Sequence, residues 1–388
     1  MNYIPAFTLS GGPPAPSLPP IPDSGNLPLG GPNNNVQPKV RPTSQVVPAV
    51  ANYNLAFQYQ WTRTMTMEMA YVGNVGRHGF VGDSPSYNVN PVNIVNYGVP
   101  GISQAQRQYF NGRFSNGICC SGGILGDYLG NDANSNYNSL QVKVTQNMNH
   151  GLQFIAFYTW SRALHYGDQN YYAISPAIAY GPWDQNRSQV FVTNMVWDLP
   201  FGKGKTFAGN ASRAEDLVIG GWQITGTLNW SSGLPFTPSY GACNSDEDVG
   251  VCRPNKGNLA GWSMGGGSFD PINHWVPYFT PVSPVQPTGG GPWLRPVTGT
   301  LGDAGIFSLY GPRFFTANAS VMKNFKMTER FALQFRMDAF NVFNHPVLGF
   351  NSNQGNTCID CGGNAGKVTD IEADTTMREL QFALKLTF

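Results

Sequence analysis

The sequence predicts an all-β chain, an antiparallel transmembrane β-barrel of which about nine strands are present, and three observations carry that expectation. Apolar residues recur at every second position in nine separate segments. The connections between those segments alternate in length. Aromatic rings gather at both ends of the apolar faces, while charge keeps to the opposite faces.

The segments follow in order. The first sets Leu55, Phe57, Tyr59 and Trp61 against Ala56, Gln58 and Gln60; the second sets Met65, Met67, Met69 and Tyr71 against Thr66, Glu68 and Ala70. The third carries Leu140, Val142 and Val144, and the fourth Leu152, Phe154, Ala156, Tyr158 and Trp160. The fifth is less clean, because Thr193 shares a face with Phe191, Met195 and Trp197. In the sixth, Trp222, Ile224, Gly226, Leu228 and Trp230 alternate with Gln223, Thr225, Thr227 and Asn229. The seventh is weak (Phe315, Ala317, Ala319, Val321, Phe325). The eighth pairs Phe331, Leu333, Phe335, Met337 and Ala339 with Gln334, Arg336 and Asp338. The ninth, Leu380, Phe382, Leu384, Leu386 and Phe388, ends on an aromatic residue.

Strands one and two meet at Thr62-Arg63, three and four at Asn149-His150, and seven and eight at Lys326 to Arg330. A medium turn from Leu199 to Glu215 joins five and six. The other connections are long, roughly 60, 20, 80 and 34 residues, where compact domains rarely exceed about 12–15. Membrane barrels have this asymmetry, with short turns at one rim and long loops at the other. Trp222 and Trp230 lie roughly 20 Å apart along a tilted strand, close to the height of a barrel's apolar band. Glu68, Lys143, Arg336, Asp338 and Lys385 fall on the face opposite the apolar one and are expected to face the lumen. Lys323 is the one charge on an apolar face; near a turn it can snorkel. A soluble β-sandwich would show the same alternation, but rim aromatics, one-sided loops and the terminal Phe388 together favour the membrane barrel.

Composition agrees. The chain has 388 residues, 41% apolar and 12% charged, whereas soluble domains carry about 25% charge. A net charge of +1 provides no basic field for nucleic acid. Aromatics at 13% argue against charge-rich disorder, and no apolar run reaches the roughly 18 residues of a membrane helix. Residues 1–51, rich in Pro, Gly and Asn, are expected to form an extracellular loop or disordered segment. Residues 52–388 are expected to form the C-terminal part of the barrel.

Six cysteines fall in three close sets: Cys119-Cys120, Cys243 with Cys252, and Cys358 with Cys361. Disulfides closing small loops are the favoured reading; a redox pair or half of a zinc site is the alternative. No phosphate loop, dinucleotide fingerprint or zinc-protease motif occurs, so no enzyme, cofactor or metal is expected. The acidic run Asp246-Glu247-Asp248 lacks the Gly and distal Glu of a calcium loop. Binding residues concentrate on loops held by a rigid scaffold. The candidate ligand contacts are therefore Tyr240, Trp262, Trp275, Tyr278 and Trp293, whose rings would suit carbohydrate or peptide.

Several segments resemble the C-terminal barrel of TonB-dependent transporter-like proteins, in particular the Oar-like group of Acidobacteria. They are Tyr53-Asn54-Leu55, Ala70-Tyr71-Val72-Gly73-Asn74, Tyr137-Asn138-Ser139-Leu140-Gln141, Tyr158-Thr159-Trp160-Ser161-Arg162 and Asp198-Leu199-Pro200-Phe201-Gly202-Lys203-Gly204-Lys205. Gly220-Gly221-Trp222, Ser232-Gly233-Leu234-Pro235-Phe236 and Phe340-Asn341-Val342-Phe343-Asn344-His345-Pro346 complete the series. The resemblance implies a Gram-negative outer-membrane barrel of about 22 strands, plugged from its N-terminal side, energised by TonB and inserted by the barrel assembly machinery. Leu384, Leu386 and Phe388 would be the C-terminal assembly signal. No signal peptide, plug or TonB-contact segment is visible, and nine is an odd count. The chain is thus expected to be part of a longer protein, touching TonB only through a region not present here. The alternative is a non-transporting surface protein or adhesin anchored by its barrel.

Overall fold

The computed structural model describes residues 39–81, 130–166, 176–240, 301–326, 331–350 and 375–388 without breaks, and parts of 87–128, 253–300 and 356–372. Cys119, Cys120, Cys243, Cys252, the acidic run 246–248 and the turn at 327–330 lie outside the described residues.

Among the described residues, nine long strands form one antiparallel sheet in chain order. They are β1 (Ala49–Gln60), β2 (Met65–Val81), β3 (Gly130–Asn149), β4 (Leu152–Tyr166), β5 (Gln189–Asp198), β6 (Trp222–Ser231), β7 (Phe314–Lys326), β8 (Ala332–Phe340) and β9 (Glu379–Thr387). A short strand, Tyr180–Pro182, adds to the loop end of β4. Four strands outrun the alternating segments, β4 by running on to Tyr166. β1 begins at Ala49, and β2 and β3 continue past the apolar band to Val81 and Gly130, shortening the long connection expected after the second segment. No helix among the described residues is long and apolar enough to cross a membrane.

Register follows from the period-two pattern, because a one-residue slip would turn every side chain to the other face. Apolar rows run straight across the sheet. Phe57, Met69, Val142, Tyr158, Phe191, Trp230 and Phe315 face one another on successive strands. Near the short-turn end a row runs through Trp222, Lys323, Phe335 and Leu384. Polar rows occupy the other face, as in Thr225, Ser320, Asp338 and Gln381.

This apolar face is what separates a membrane strand set from a soluble sandwich. In a sandwich it would be packed beneath a second layer. Instead Trp160 is 59% exposed and Phe57 67%, and the buried hydrophobic cluster lies elsewhere, among the loops. The sheet has no packed core of its own. Its outer strands β1 and β9 are exposed along their whole length, and among the described residues nothing pairs their outer edges. The expected barrel is therefore observed as an open sheet with two unpaired edges, not as a closed ring.

Local chemistry explains several of the ordered sequence segments. Gly73 lies opposite Tyr53, whose ring covers it, leaving no room there for a Cβ. The Tyr53 and Tyr71 hydroxyls both donate to Asn138 Oδ1, at 3.0 and 2.5 Å. Asn341 and Asn344, at the end of β8, adopt φ of 47° and 51°, the left-handed region that Asn tolerates. The Asn341 side chain donates to the carbonyls of His345 and Thr376, at 3.1 and 2.9 Å, and accepts from the His345 N–H at 3.0 Å. Asn344 Oδ1 accepts from the Arg378 N–H at 3.0 Å. Two asparagines thus clip together the start and end of the β8–β9 connection.

Candidate functional site

Two regions could meet a ligand: the polar face of the sheet and the folded loops above it. On the polar face, register sets Glu68 directly opposite Lys143. Lys143 Nζ stands 5.8 Å from the centre of the Phe157 ring. Arg336 Nε donates to Asp338 Oδ1 at 2.8 Å, and Ser320 donates to the same oxygen. That engagement makes Arg336 and Asp338 a wall pair rather than an acid/base couple. They border a cavity of about 570 Å³ with Thr145, Asn194, Thr227 and Asn318. Lys385 lies apart, in a row with Gln334 and Asn324. The structure therefore groups Arg336 with Asp338 and places Glu68 with Lys143 at a distance along the sheet.

The loops at the opposite end from the short turns fold into a cap. The described parts of connections 232–313 and 341–378 are knit by a two-residue ladder, Val276–Pro277 with Lys367–Val368, and by a bridge from Ser239 to Cys358. Beneath them Phe236, Tyr240, Phe279, Trp293, Ala304 and Ile359 form a buried core, with Trp262, Tyr278 and Phe350 packed on it. Arg187 ties the cap to the sheet. It donates to the Ser232 carbonyl at 2.9 Å and pairs with Glu372. Cys358 and Cys361 are disulfide-bonded, which leaves no thiolate pair there for a metal.

This packing separates the five candidate rings. Tyr240 and Trp293 are 6% and 2% exposed; a ring covered on both faces offers a ligand no platform, so these two serve the cap's core. Trp262 meets Trp293 edge-on at 5.5 Å. The Tyr278 hydroxyl donates to the Tyr310 carbonyl at 2.9 Å, and burial raises its pKa, opposed by Arg313. Trp275, half-buried like Trp262 and Tyr278, differs from them in lining a cavity. Lys367 Nζ sits 4.5 Å over its ring, and the ring lines a cavity of about 580 Å³ with His345, Asp370, Thr376 and Met377. His345 stood within the Phe-Asn-x-Phe-Asn-His-Pro segment and could have been flagged there. Lys367 and Asp370 carry no sequence pattern.

The family described as outer membrane beta barrel domain matches residues 2–381. Two solved structures are similar at 8% identity. The structure of the FpvAI–pyocin S2 complex matches with a TM-score of 0.36, covering 88% of this chain and 27% of that one. The outer membrane transporter YddB from Escherichia coli matches with a TM-score of 0.38, covering 91% and 34%. The chain thus spans about a quarter to a third of the length of these proteins. No curated protein matches it in sequence. The family is a barrel domain and not an enzyme family, and its place is the outer membrane of Gram-negative bacteria, where the apolar rows would meet lipid. Matched over nearly its whole length, the chain belongs to the outer membrane beta barrel domain family.

Proposed function

We propose that this chain is the C-terminal part of a larger, TonB-dependent transporter-like barrel of the Oar-like type, which binds a ligand at its loop cap and admits it along the lumen face. The observation that carries this reading is the two-sidedness of the sheet under a folded cap. One face has no second layer of strands packed on its apolar rows, whose Phe57, Trp160 and Leu384 are exposed, and the other presents Glu68, Lys143 and the Arg336–Asp338 pair beside a cavity. The two unpaired edges support membership of a larger ring, since backbone in lipid must be hydrogen-bonded. In that ring Lys385 also faces the lumen, and Leu384, Leu386 and Phe388 guide assembly.

The ligand contact is assigned to Trp275 and its cavity, with Trp262 and Tyr278 at the margin of the cap core. An aromatic ring with Asp, Thr and His groups nearby suits a carbohydrate or a peptide. Binding of a panel of soluble oligosaccharides and peptides to the full-length protein tests this. Trp275→Ala should weaken binding of whichever probe is retained by about tenfold or more, the scale of one lost aromatic anchor. Uptake that continues after the proton gradient is collapsed would remove TonB coupling from the reading.

The cap's self-contained packing favours a second reading, a surface protein or adhesin whose barrel is an anchor. It predicts binding of surfaces or cells without uptake of any soluble probe.

A further inference from the structure

The β5–β6 connection, expected from sequence to be only a medium turn, folds into a small unit that rests on the outside of the sheet. Phe207 N–H bonds the Pro200 carbonyl at 2.9 Å, and Gly202 N–H returns to the Phe207 carbonyl at 3.0 Å. A seven-residue helix, α1 (Arg213–Ile219), follows. Ser212 and Glu215 cap its start reciprocally. Asp216 Oδ1 accepts from the Lys203 N–H at 2.6 Å and locks turn to helix.

Side chains of the apolar face hold the far end of α1. The Trp222 indole N–H donates to the Val218 carbonyl at 2.9 Å. Lys323 Nζ donates to the same carbonyl at 3.1 Å and also to the Gly220 carbonyl. Its ammonium lies 5.1 Å from the Trp222 ring centre and 5.2 Å from that of Phe325, and the residue is 1% exposed. Lys323 therefore does not snorkel to water. It is spent on the last carbonyls of a helix, groups that otherwise lack partners. Because Trp222 and Lys323 belong to the row that continues through Phe335 to Leu384, α1 sits on the lipid side of the sheet and not in its lumen.

The unit leaves large apolar side chains uncovered: Val218 at 69%, Phe207 at 55% and Phe201 at 43%, with Leu217 and Ile219 also exposed. Its two acids are occupied by its own backbone, while Lys203 and Lys205 are exposed. Apolar body, outward basic groups and attachment to the lipid-facing rim are the features of a segment lying in a membrane interface.

We propose that residues 199–221 are an interfacial anchor, seated among the phospholipid headgroups and upper acyl chains of the leaflet at the short-turn rim. A plug or soluble partner would have to reach it from the lipid side. The proposal rests on the membrane placement of the sheet, and the experiment separates the two.

Val218 or Phe207 is replaced by p-benzoylphenylalanine in the full-length protein, which is then irradiated in outer-membrane vesicles. Leu384 carries the same group as a lipid-face reference and Thr227 as a polar-face reference. Phospholipid adducts at 218 and 207 should come within about threefold of those at Leu384 and exceed those at Thr227 by about tenfold, as expected for a segment buried in the interface. Protein adducts at 218 and 207, or lipid adducts no higher than at Thr227, with Leu384 still labelling lipid, would overturn the anchor alone. Absence of lipid adducts at Leu384 as well would overturn the membrane register beneath it.

Discussion

Asn341 shows how much one side chain can hold at this scale. Three of its hydrogen bonds reach backbone groups at residues 345 and 376, and its own N–H donates to Asn318 Oδ1 at 2.9 Å. Its φ of 47° suits Asn better than Ala. Asn341→Ala should lower the unfolding free energy by roughly 2–4 kcal/mol, the sum of lost side-chain bonds and left-handed strain. Denaturant titration of the folded protein in detergent measures it, and an unchanged midpoint would remove the clip from the account. Tyr278 provides a pH-dependent counterpart in the cap. Burial raises its pKa above the ordinary 10.0, so the neutral phenol is the form that the folded cap favours. Its stabilising contribution is complete below the unfolded value and disappears as pH rises through the folded one. A tyrosinate absorbance titration, wild type minus Tyr278→Phe, should place this phenol above pH 10. A transition at or below that value would mean that the hydroxyl meets solvent.

At the level of strands and helices, face assignment is the property open to the sharpest test. Leu228 and Thr227 are neighbours on β6, near the middle of the sheet, and point to opposite faces. Leu228→Arg places a charge on the apolar face and should cost about 2–4 kcal/mol, whereas Thr227→Arg, beside Asn194 and Asn318, should cost less than about 1 kcal/mol. Heat-modifiable migration of the two variants in outer-membrane fractions reads the difference; equal loss of the folded band would contradict the register. These strands were legible in the sequence because alternation is local: each apolar face can be read from its own ten or so residues. Even weak β7 was recoverable, since Phe315, Val321 and Phe325 hold the pattern around small alanines. Helix α1 was less visible. Its Ser-x-x-Glu capping box stands in the sequence, yet the feature that fixes the helix, Lys323, comes from a strand more than a hundred residues later. The same residue looked like a charge reaching for water because its real acceptors were not adjacent in sequence.

For the whole molecule, the division is between a sheet without a core and a cap with one. Phe236 meets Phe350 at 5.1 Å, and Trp262 meets Phe279 at 5.8 Å, so the cap core depends on contacts across and between two connections. No periodicity announces such contacts, which is why the rings at 240 and 293 read as ligand platforms in the sequence, while in space they lie buried in the cap core. If the cap is one cooperative unit, removing its most buried ring should loosen both connections together. Trp293→Ala leaves a large cavity, and aromatic-to-alanine changes of this kind cost about 3–5 kcal/mol. Hydrogen exchange should then accelerate by roughly a hundredfold or more in 232–313 and equally in 341–378, since each 1.4 kcal/mol is about tenfold in an opening equilibrium. Exchange in β3 through β7 should hold, because inter-strand hydrogen bonds and not the cap core maintain the sheet. Loosening confined to 232–313 would show two loops that merely touch. Loosening that spread into the strands would show that cap and sheet fold as one body, and the barrel wall would then depend on its lid.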